Sequence, residues 1–281
     1  MTPTPGEAVP GGQAGRPWSL QRALWWTADY VYAARRQLAV LSMPWALGRH
    51  RPTPPTWHAG SADLPEVVLL PGVYEHWTFL RPLGDTLAAA GHRVRVIHGL
   101  GVNRRGIAET ADLLARTLAD LPLPPAGRVL VAHSKGGLIG KHLLVKTGAA
   151  SAAAVEASVG GDPAAAAAGA PHSPGEPSLG VLGLVAVATP FGGARRARLF
   201  IDPSIRAFLP GNETIVTLGR ETSVNGRIVS VYGPYDPHIP EGSALDGATN
   251  VVVPAQGHFR VLASPKTHAA VLDGIRLLAA G

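Results

Sequence analysis

The chain contains no cysteine. That excludes disulfide bridges and thiolate metal sites, but it leaves the compartment open, because a secreted protein need not carry disulfides. Lysine is nearly as scarce. Lys135, Lys141, Lys146 and Lys266 are the only ones, so the formal net charge of +6 comes almost wholly from arginine. A basic balance can signal nucleic acid or an anionic membrane surface. Here the arginines are scattered and no basic run is interleaved with aromatic residues, so no nucleic-acid partner is expected. No stretch approaches the roughly 18 uncharged apolar residues of a membrane span. Residues 1–17, rich in Pro, Gly and Thr, lack the cationic start and apolar core of a signal peptide. The expectation is a cytoplasmic protein without signal peptide or transmembrane helix. The histidines form no H-x-x-x-H pair, and His98-Gly99-Leu100-Gly101 lacks the third glycine of a dinucleotide loop. Neither a metal nor a cofactor is expected.

What is present suffices for a sizeable core: 281 residues, 46% of them apolar. Residues 1–17 read as a disordered tail, and 18–60 as an amphipathic helix and linker. From Ser19, a candidate cap, to about Leu47, the residues Leu20, Leu24, Ala28, Val31, Ala34, Leu38, Leu41 and Trp45 recur three or four apart. That pattern predicts a helix whose apolar face packs against the main domain. With Trp25, Trp26, Tyr30 and Tyr32 beside Arg35 and Arg36, an interfacial helix giving peripheral membrane contact is the other reading. Residues 61–281 then alternate short aliphatic runs with helical periods. Strands are predicted at 66–70, 94–97, 129–131, 182–188, 228–232 and 250–253, and helices at 78–90, 107–121, 136–144 and 262–280. Alternation of this kind gives an α/β fold: a mostly parallel sheet of about six strands with helices on both faces, plus the N-terminal helical extension. Residues 148–180, loaded with Ala, Gly, Pro and Ser, break the rhythm and read as a low-complexity insertion, either a plain loop or a lid.

The run Val129-Leu130-Val131-Ala132-His133-Ser134-Lys135-Gly136-Gly137 has the character of a strand, a sharp corner at Ser134 and a helix start. A serine at such a nucleophile elbow needs very small residues two positions to either side, and Ala132 and Gly136 meet that need. The turn aims the Lys135 amide at the place where an oxyanion would form.

Ala132-His133-Ser134-Lys135-Gly136 within these alternating elements resembles the α/β-hydrolase superfamily, and more narrowly compact bacterial triacylglycerol lipases and esterases whose elbow begins with alanine. Leu69-Leu70-Pro71-Gly72-Val73 is similar to their oxyanion loop, Ala188-Thr189-Pro190-Phe191-Gly192-Gly193 to their Thr-Pro-x-x-Gly segment, and Leu209-Pro210-Gly211-Asn212 to their Pro-Gly turn. The resemblance covers roughly residue 66 to the end and omits the N-terminal helix. It implies a serine hydrolase of carboxylic esters, acting on an ester or lipid substrate through a Ser-His-Asp triad.

In that fold the acid and then the base follow the serine, each on a loop after a later strand. Asp236 lies just beyond the strand at 228–232, with Asp246 as the fallback. His258 follows the last strand in Gln256-Gly257-His258-Phe259, whereas His238 adjoins the acid on the wrong loop and His268 falls inside the last helix. The oxyanion amides are assigned to Lys135 and Val73, with Tyr74 the weaker second donor. Pro71 stands where many lipases carry histidine, a change without consequence for a backbone donor. Tyr74, His76, Trp77 and Phe191 are the candidate pocket residues, Glu75 lies among them, and Trp77 equally fits as an anchor for the next helix. His133 is expected to pack under the elbow, and Lys135 to point to solvent or a pocket rim. An acyltransferase or thioesterase on the same triad, or a non-catalytic binding protein of this fold, are the alternatives.

Overall fold

The computed structural model describes residues 20–41, 52–159 and 179–281. The tail read at 1–17, the cap at Ser19, the helix continuation to Leu47 and most of the insertion lie outside the described residues. Helix α1 spans Leu20–Leu41. Strand β1 (Glu66–Leu70), helix α2 (Arg81–Ala89), strand β2 (Val94–Val96), helix α3 (Ile107–Ala119), strand β3 (Arg128–His133) and helix α4 (Lys135–Val159) follow in order. The second half supplies β4 (Val181–Val187), the short α5 (Pro203–Arg206), α6 (Glu213–Arg220), β5 (Ile228–Tyr232), β6 (Thr249–Val252) and α7 (Pro265–Ala280). Helix α4 therefore runs on through the first part of the alanine-rich segment, as its alanines favour.

The six strands form one sheet in the order β2-β1-β3-β4-β5-β6, and every pairing is parallel. All residues of β1 and β3 are buried, as expected of parallel strands covered on both faces. Side chains alternate between two cores. Val68, Leu70, Leu130 and Leu184 meet Ile107 and Leu114 of α3 and Ile139 and Leu143 of α4. Val67, Leu69, Val131 and Val229 meet Leu83 and Leu87 of α2 and Val271 and Ile275 of α7. From β1 the chain goes outward to β2 and then returns to the other side of β1 as β3. Such a reversal leaves a crevice at the carboxyl ends of the strands, the usual place for a ligand in an open parallel sheet.

Helix α1 corrects an expectation. The stripe predicted to pack inward faces solvent, with Leu20 80%, Leu24 61% and Leu38 60% exposed. The helix turns toward the body instead with Trp25, Asp29, Ala33, Arg36 and Gln37, and Asp29 is completely buried. Hydrogen bonds to loop backbone, described below, decide this orientation. Among the described residues no helix is long and apolar enough to cross a membrane.

Candidate active site

Strand β3 ends at His133 and α4 begins at Lys135, so Ser134 makes the whole corner, with φ at 50°. A non-glycine residue in this left-handed region is strained and persists only where its surroundings over-determine it. They do so here. The Ser134 amide donates to the Val187 carbonyl at 2.9 Å, and the Thr189 hydroxyl donates to the Ser134 carbonyl at 3.0 Å. A Cβ on Gly136 would lie 2.2 Å from the Leu70 oxygen, and one on Gly137 would lie 2.0 Å from the Thr189 hydroxyl. Glycine is what lets the start of α4 pass this close to β1 and to the loop after β4.

The corner raises the Ser134 hydroxyl toward the loop after β6, where His258 Nε2 accepts from it at 2.9 Å. The other ring nitrogen, Nδ1, stands 2.7 Å from Asp236 Oδ2 on the loop after β5. A carboxylate can only accept, so the proton of a neutral His258 ring sits on Nδ1 and leaves Nε2 free to take one. Asp236 Oδ1 in turn accepts from the amides of His238 at 2.7 Å and Ile239 at 3.1 Å. Burial alone would push the Asp236 carboxyl up, but His258 and these amides hold it below the ordinary carboxylate value. Burial pulls the His258 imidazole down, and the Asp236 carboxylate more than offsets it, so the ring is the stronger base.

A cavity of about 260 Å³ opens over Ser134 and His258. Most of its wall is apolar, including Phe79, Ala194, Phe200, Ile205 and Phe208. Val73 and Tyr74 line it as well, and Tyr30, Ala33 and Gln37 of α1 close one side. The Lys135 amide is the first of α4, so it points out of the helix amino terminus, the positive end of the helix dipole. Among the described residues neither this amide nor that of Val73 donates to another group. No three His, Cys, Asp or Glu side chains among the described residues are grouped to hold a metal.

No family model matches the chain, and no curated protein sequence does. Solved structures do match by shape. The mature lipase BlEst2 of Bacillus licheniformis superposes with a TM-score of 0.54 at 13% identity, over 82% of this chain and 96% of that one. Lipase B of Aspergillus fumigatus superposes with a TM-score of 0.55 at 15% identity, over 79% of this chain but only 55% of that one. The chain has the α/β-hydrolase fold. The parallel sheet and the order of its strands agree with that assignment.

Within this α/β-hydrolase fold the remaining predicted positions fall as follows. Tyr74 lines the cavity, with φ at 61° and its hydroxyl bonded to Asp202. His76, Trp77 and Phe191 are not among the lining residues. Trp77 turns inward and packs edge-on against Trp57 at 5.4 Å, because its large apolar surface is better covered there than at the crevice. Phe191 is drawn into the core beneath α3 and α4, and the His76 ring pairs with the Thr78 hydroxyl at 3.1 Å. Lys135 does not reach solvent. Its ammonium is buried on the carbonyls of Asn103, at 2.8 Å, and Arg105, which tie down the loop after β2. Burial lowers that ammonium to about 8, against the opposing charge of Glu109. Asp246 is exposed, and His268 is spent on Thr86 and the Leu262 carbonyl. His238 lies closer than its position in sequence suggests. Its ring centre is 5.0 Å from that of His258, and burial lowers its imidazole to about 3, which keeps it neutral.

Two partnerships escape sequence reasoning. His133 does pack under the elbow, but as a bridge: Nδ1 meets Glu75 Oε1 at 2.8 Å and Nε2 meets the His258 carbonyl at 2.9 Å. Glu75 Oε2 also accepts from the Gly72 amide at 2.7 Å. The bridge thus joins the loop after β1 to the His258 loop beneath Ser134. The second is Asp29 of α1, whose carboxylate accepts from the amides of His258, Phe259 and Arg260 at 2.8–2.9 Å. Gly257-His258 carried a weak signal for it, since a glycine with φ at 98° permits close approach of another group.

Proposed function

We propose that the chain is a serine carboxylic-ester hydrolase of lipase or esterase type. The observation that carries this reading is the unbroken relay from the Ser134 hydroxyl to His258 Nε2 at 2.9 Å and from His258 Nδ1 to Asp236 at 2.7 Å, at the foot of an apolar cavity. The similarity in shape to two lipases agrees with it. Ser134 Oγ attacks the ester carbonyl carbon while its proton passes to His258 Nε2. The negative charge on the carbonyl oxygen is met by the amides of Lys135 and Val73. As the carbon–oxygen bond to the alcohol breaks, His258 returns the proton to the leaving alkoxide. Water then attacks the acyl-enzyme and gives its proton to His258, which restores it to Ser134 as the carboxylic acid departs. Asp236 keeps the ring in the required tautomer and stabilises the imidazolium.

The experiment is hydrolysis of p-nitrophenyl esters from short to long acyl chains, with fluorophosphonate labelling alongside. Turnover of the panel with labelling of Ser134 is expected, and the chain-length profile separates esterase from lipase. A protein inert to every ester and to the label would sink the reading.

The acid limb of the pH profile tests the same relay. Ser134 can hand over its proton only when His258 is neutral, and the folded ring holds its own proton more tightly than a free imidazole does. Activity is therefore lost on acidification at a pH above the free imidazole value of about 6.5. The Asp236→Asn variant should move that limb downward. A wild-type kcat/KM that stays level well below that pH would contradict the assignment of His258 as base.

A further inference from the structure

We propose that helix α1 is a working part of the active site and that Asp29 is a positioning residue, holding the His258 loop in line with Ser134. The inference rests on the ester-hydrolase reading above. Asp29 is fully buried, and among the described residues the one basic group within ion-pair distance is His238, whose Nε2 lies 4.0 Å from Oδ2 on a ring that burial keeps neutral. A buried carboxylate in that situation is costly unless hydrogen bonds replace its water. Three successive amides do so. Oδ2 accepts from His258 at 2.9 Å, and Oδ1 accepts from Phe259 and Arg260 at 2.8 Å each. Consecutive amides turned to one point form an anion-binding concavity, and here the anion comes from a helix 229 residues earlier. The fit is close: a Cβ on Gly257 would lie 2.5 Å from Asp29 Oδ1.

His258 is therefore held at four points. Asp236 and Ser134 engage its ring, His133 takes its carbonyl, and Asp29 takes its amide. The same face of α1 grips the opposite side of the site. Gln37 Nε2 donates to the Tyr74 carbonyl at 2.6 Å, and the Arg36 guanidinium donates to the Thr78 carbonyl. Residues 29 and 37 stand about 12 Å apart along a helix axis. Helix α1 thus spans the cavity as a brace, with the loop bearing the base at one end and the loop bearing Val73 at the other. Docking alone would have been served by turning its apolar stripe inward. The helix instead directs its polar groups at the backbone of these two loops and leaves that stripe in solvent.

The test uses the full chain with Asp29→Asn, Asp29→Ala and Gln37→Ala, each checked for folding by circular dichroism. In Asp29→Asn the amide oxygen can still serve Phe259 and Arg260, but an NH₂ replaces Oδ2 against the His258 amide. The expected fall in kcat is about tenfold for Asp29→Asn, the loss of one charge-assisted hydrogen bond. For Asp29→Ala it is about 100-fold, the cost of misplacing a reacting group by about an ångström. KM should move less than twofold in both. The pH profile separates positioning from plain structure. Asp236, Glu75 and Asp29 are the carboxylates whose charges hold the His258 ring proton, and Ser134, His133 and His238, with Arg196 beyond it, are the other groups around that ring. Removing the charge at Asp29 should shift the acid limb of kcat/KM to lower pH. Gln37→Ala should lower kcat severalfold and leave the limb in place. Folded Asp29 variants with wild-type kcat and an unmoved limb would overturn the proposal, and if neither Asp29 variant folds, an unchanged kcat in Gln37→Ala does so. A wild type that resists fluorophosphonate defeats the hydrolase reading itself. A wild type and an Asp29→Asn variant that label equally fast defeat only the role of α1.

Discussion

Replacing Ser134 with alanine should lower kcat on the best p-nitrophenyl ester by on the order of 10⁶-fold, the loss seen when the nucleophile of a comparable relay is removed, and should abolish fluorophosphonate labelling. The size follows from the way the group acts. In the proposed mechanism His258 and Asp236 work only through the Ser134 proton, so without the hydroxyl the relay has nothing to activate. What survives in that mechanism is binding in the cavity and the two amides proposed to meet the oxyanion, worth about 10³–10⁴-fold over water in such sites. The variant should fold. Alanine at φ 50° carries the same backbone strain as serine, and the bonds of residue 134 to Val187 and Thr189 use main-chain atoms. A folded alanine variant that keeps more than about 1% of wild-type kcat would therefore remove Ser134 from the chemistry.

The second large effect is on stability, and it separates two substitutions of one residue. His133 Nε2 faces a carbonyl oxygen, which can only accept, so that nitrogen carries hydrogen. His133 Nδ1 faces Glu75, so one further proton is shared between ring and carboxyl, whichever of the two holds it. Glu75→Ala deletes the partner of both His133 and the Gly72 amide at a site 2% exposed. Loss of one member of a buried pair of this kind costs about 3–5 kcal/mol. Glu75→Gln should be far milder. The glutamine oxygen can take the Gly72 amide while its NH₂ donates to Nδ1, and His133 keeps the hydrogen on Nε2, so every group stays satisfied with no net charge. Chemical denaturation of the two variants gives the comparison. Equal destabilisation by Ala and Gln would show that the charge matters and that the hydrogen-bond pattern does not.

The sheet could be read from the sequence because its signals are local. Glu66–Leu70, Arg128–His133 and Ile228–Tyr232 are near-continuous aliphatic runs, and runs of that length punctuated by helical periods have few parallel arrangements open to them. The positions of Ser134, Asp236 and His258 could be anticipated from their places after particular strands, and the structure brings the three side chains within hydrogen-bonding distance. What could not be read depends on contacts between distant segments. Nothing near Asp29 in sequence indicates that its partners lie at 258–260, and helical periodicity pointed to the wrong face of α1, because it counts apolar side chains and cannot count amides awaiting an acceptor. Lys135 was misplaced for a related reason. A lysine next to a serine at a sharp corner suggests solvent, whereas the carbonyls of Asn103 and Arg105 offer it a buried seat.

The clasp between Asp29 and the His258 loop also sets an order of events as the chain is made. Translation delivers the carboxylate first and its three amides 229 residues later, a gap on the order of 20 s at typical elongation rates. Throughout that interval Asp29 has none of its three amide partners, and α1 can hold only the loop after β1, through Arg36 and Gln37. Closing so long a loop is a late and slow step. Full competence should therefore appear abruptly, only after the segment around residue 260 has left the ribosome, and a protein stalled short of it would carry Ser134 at its turn with no base to serve it.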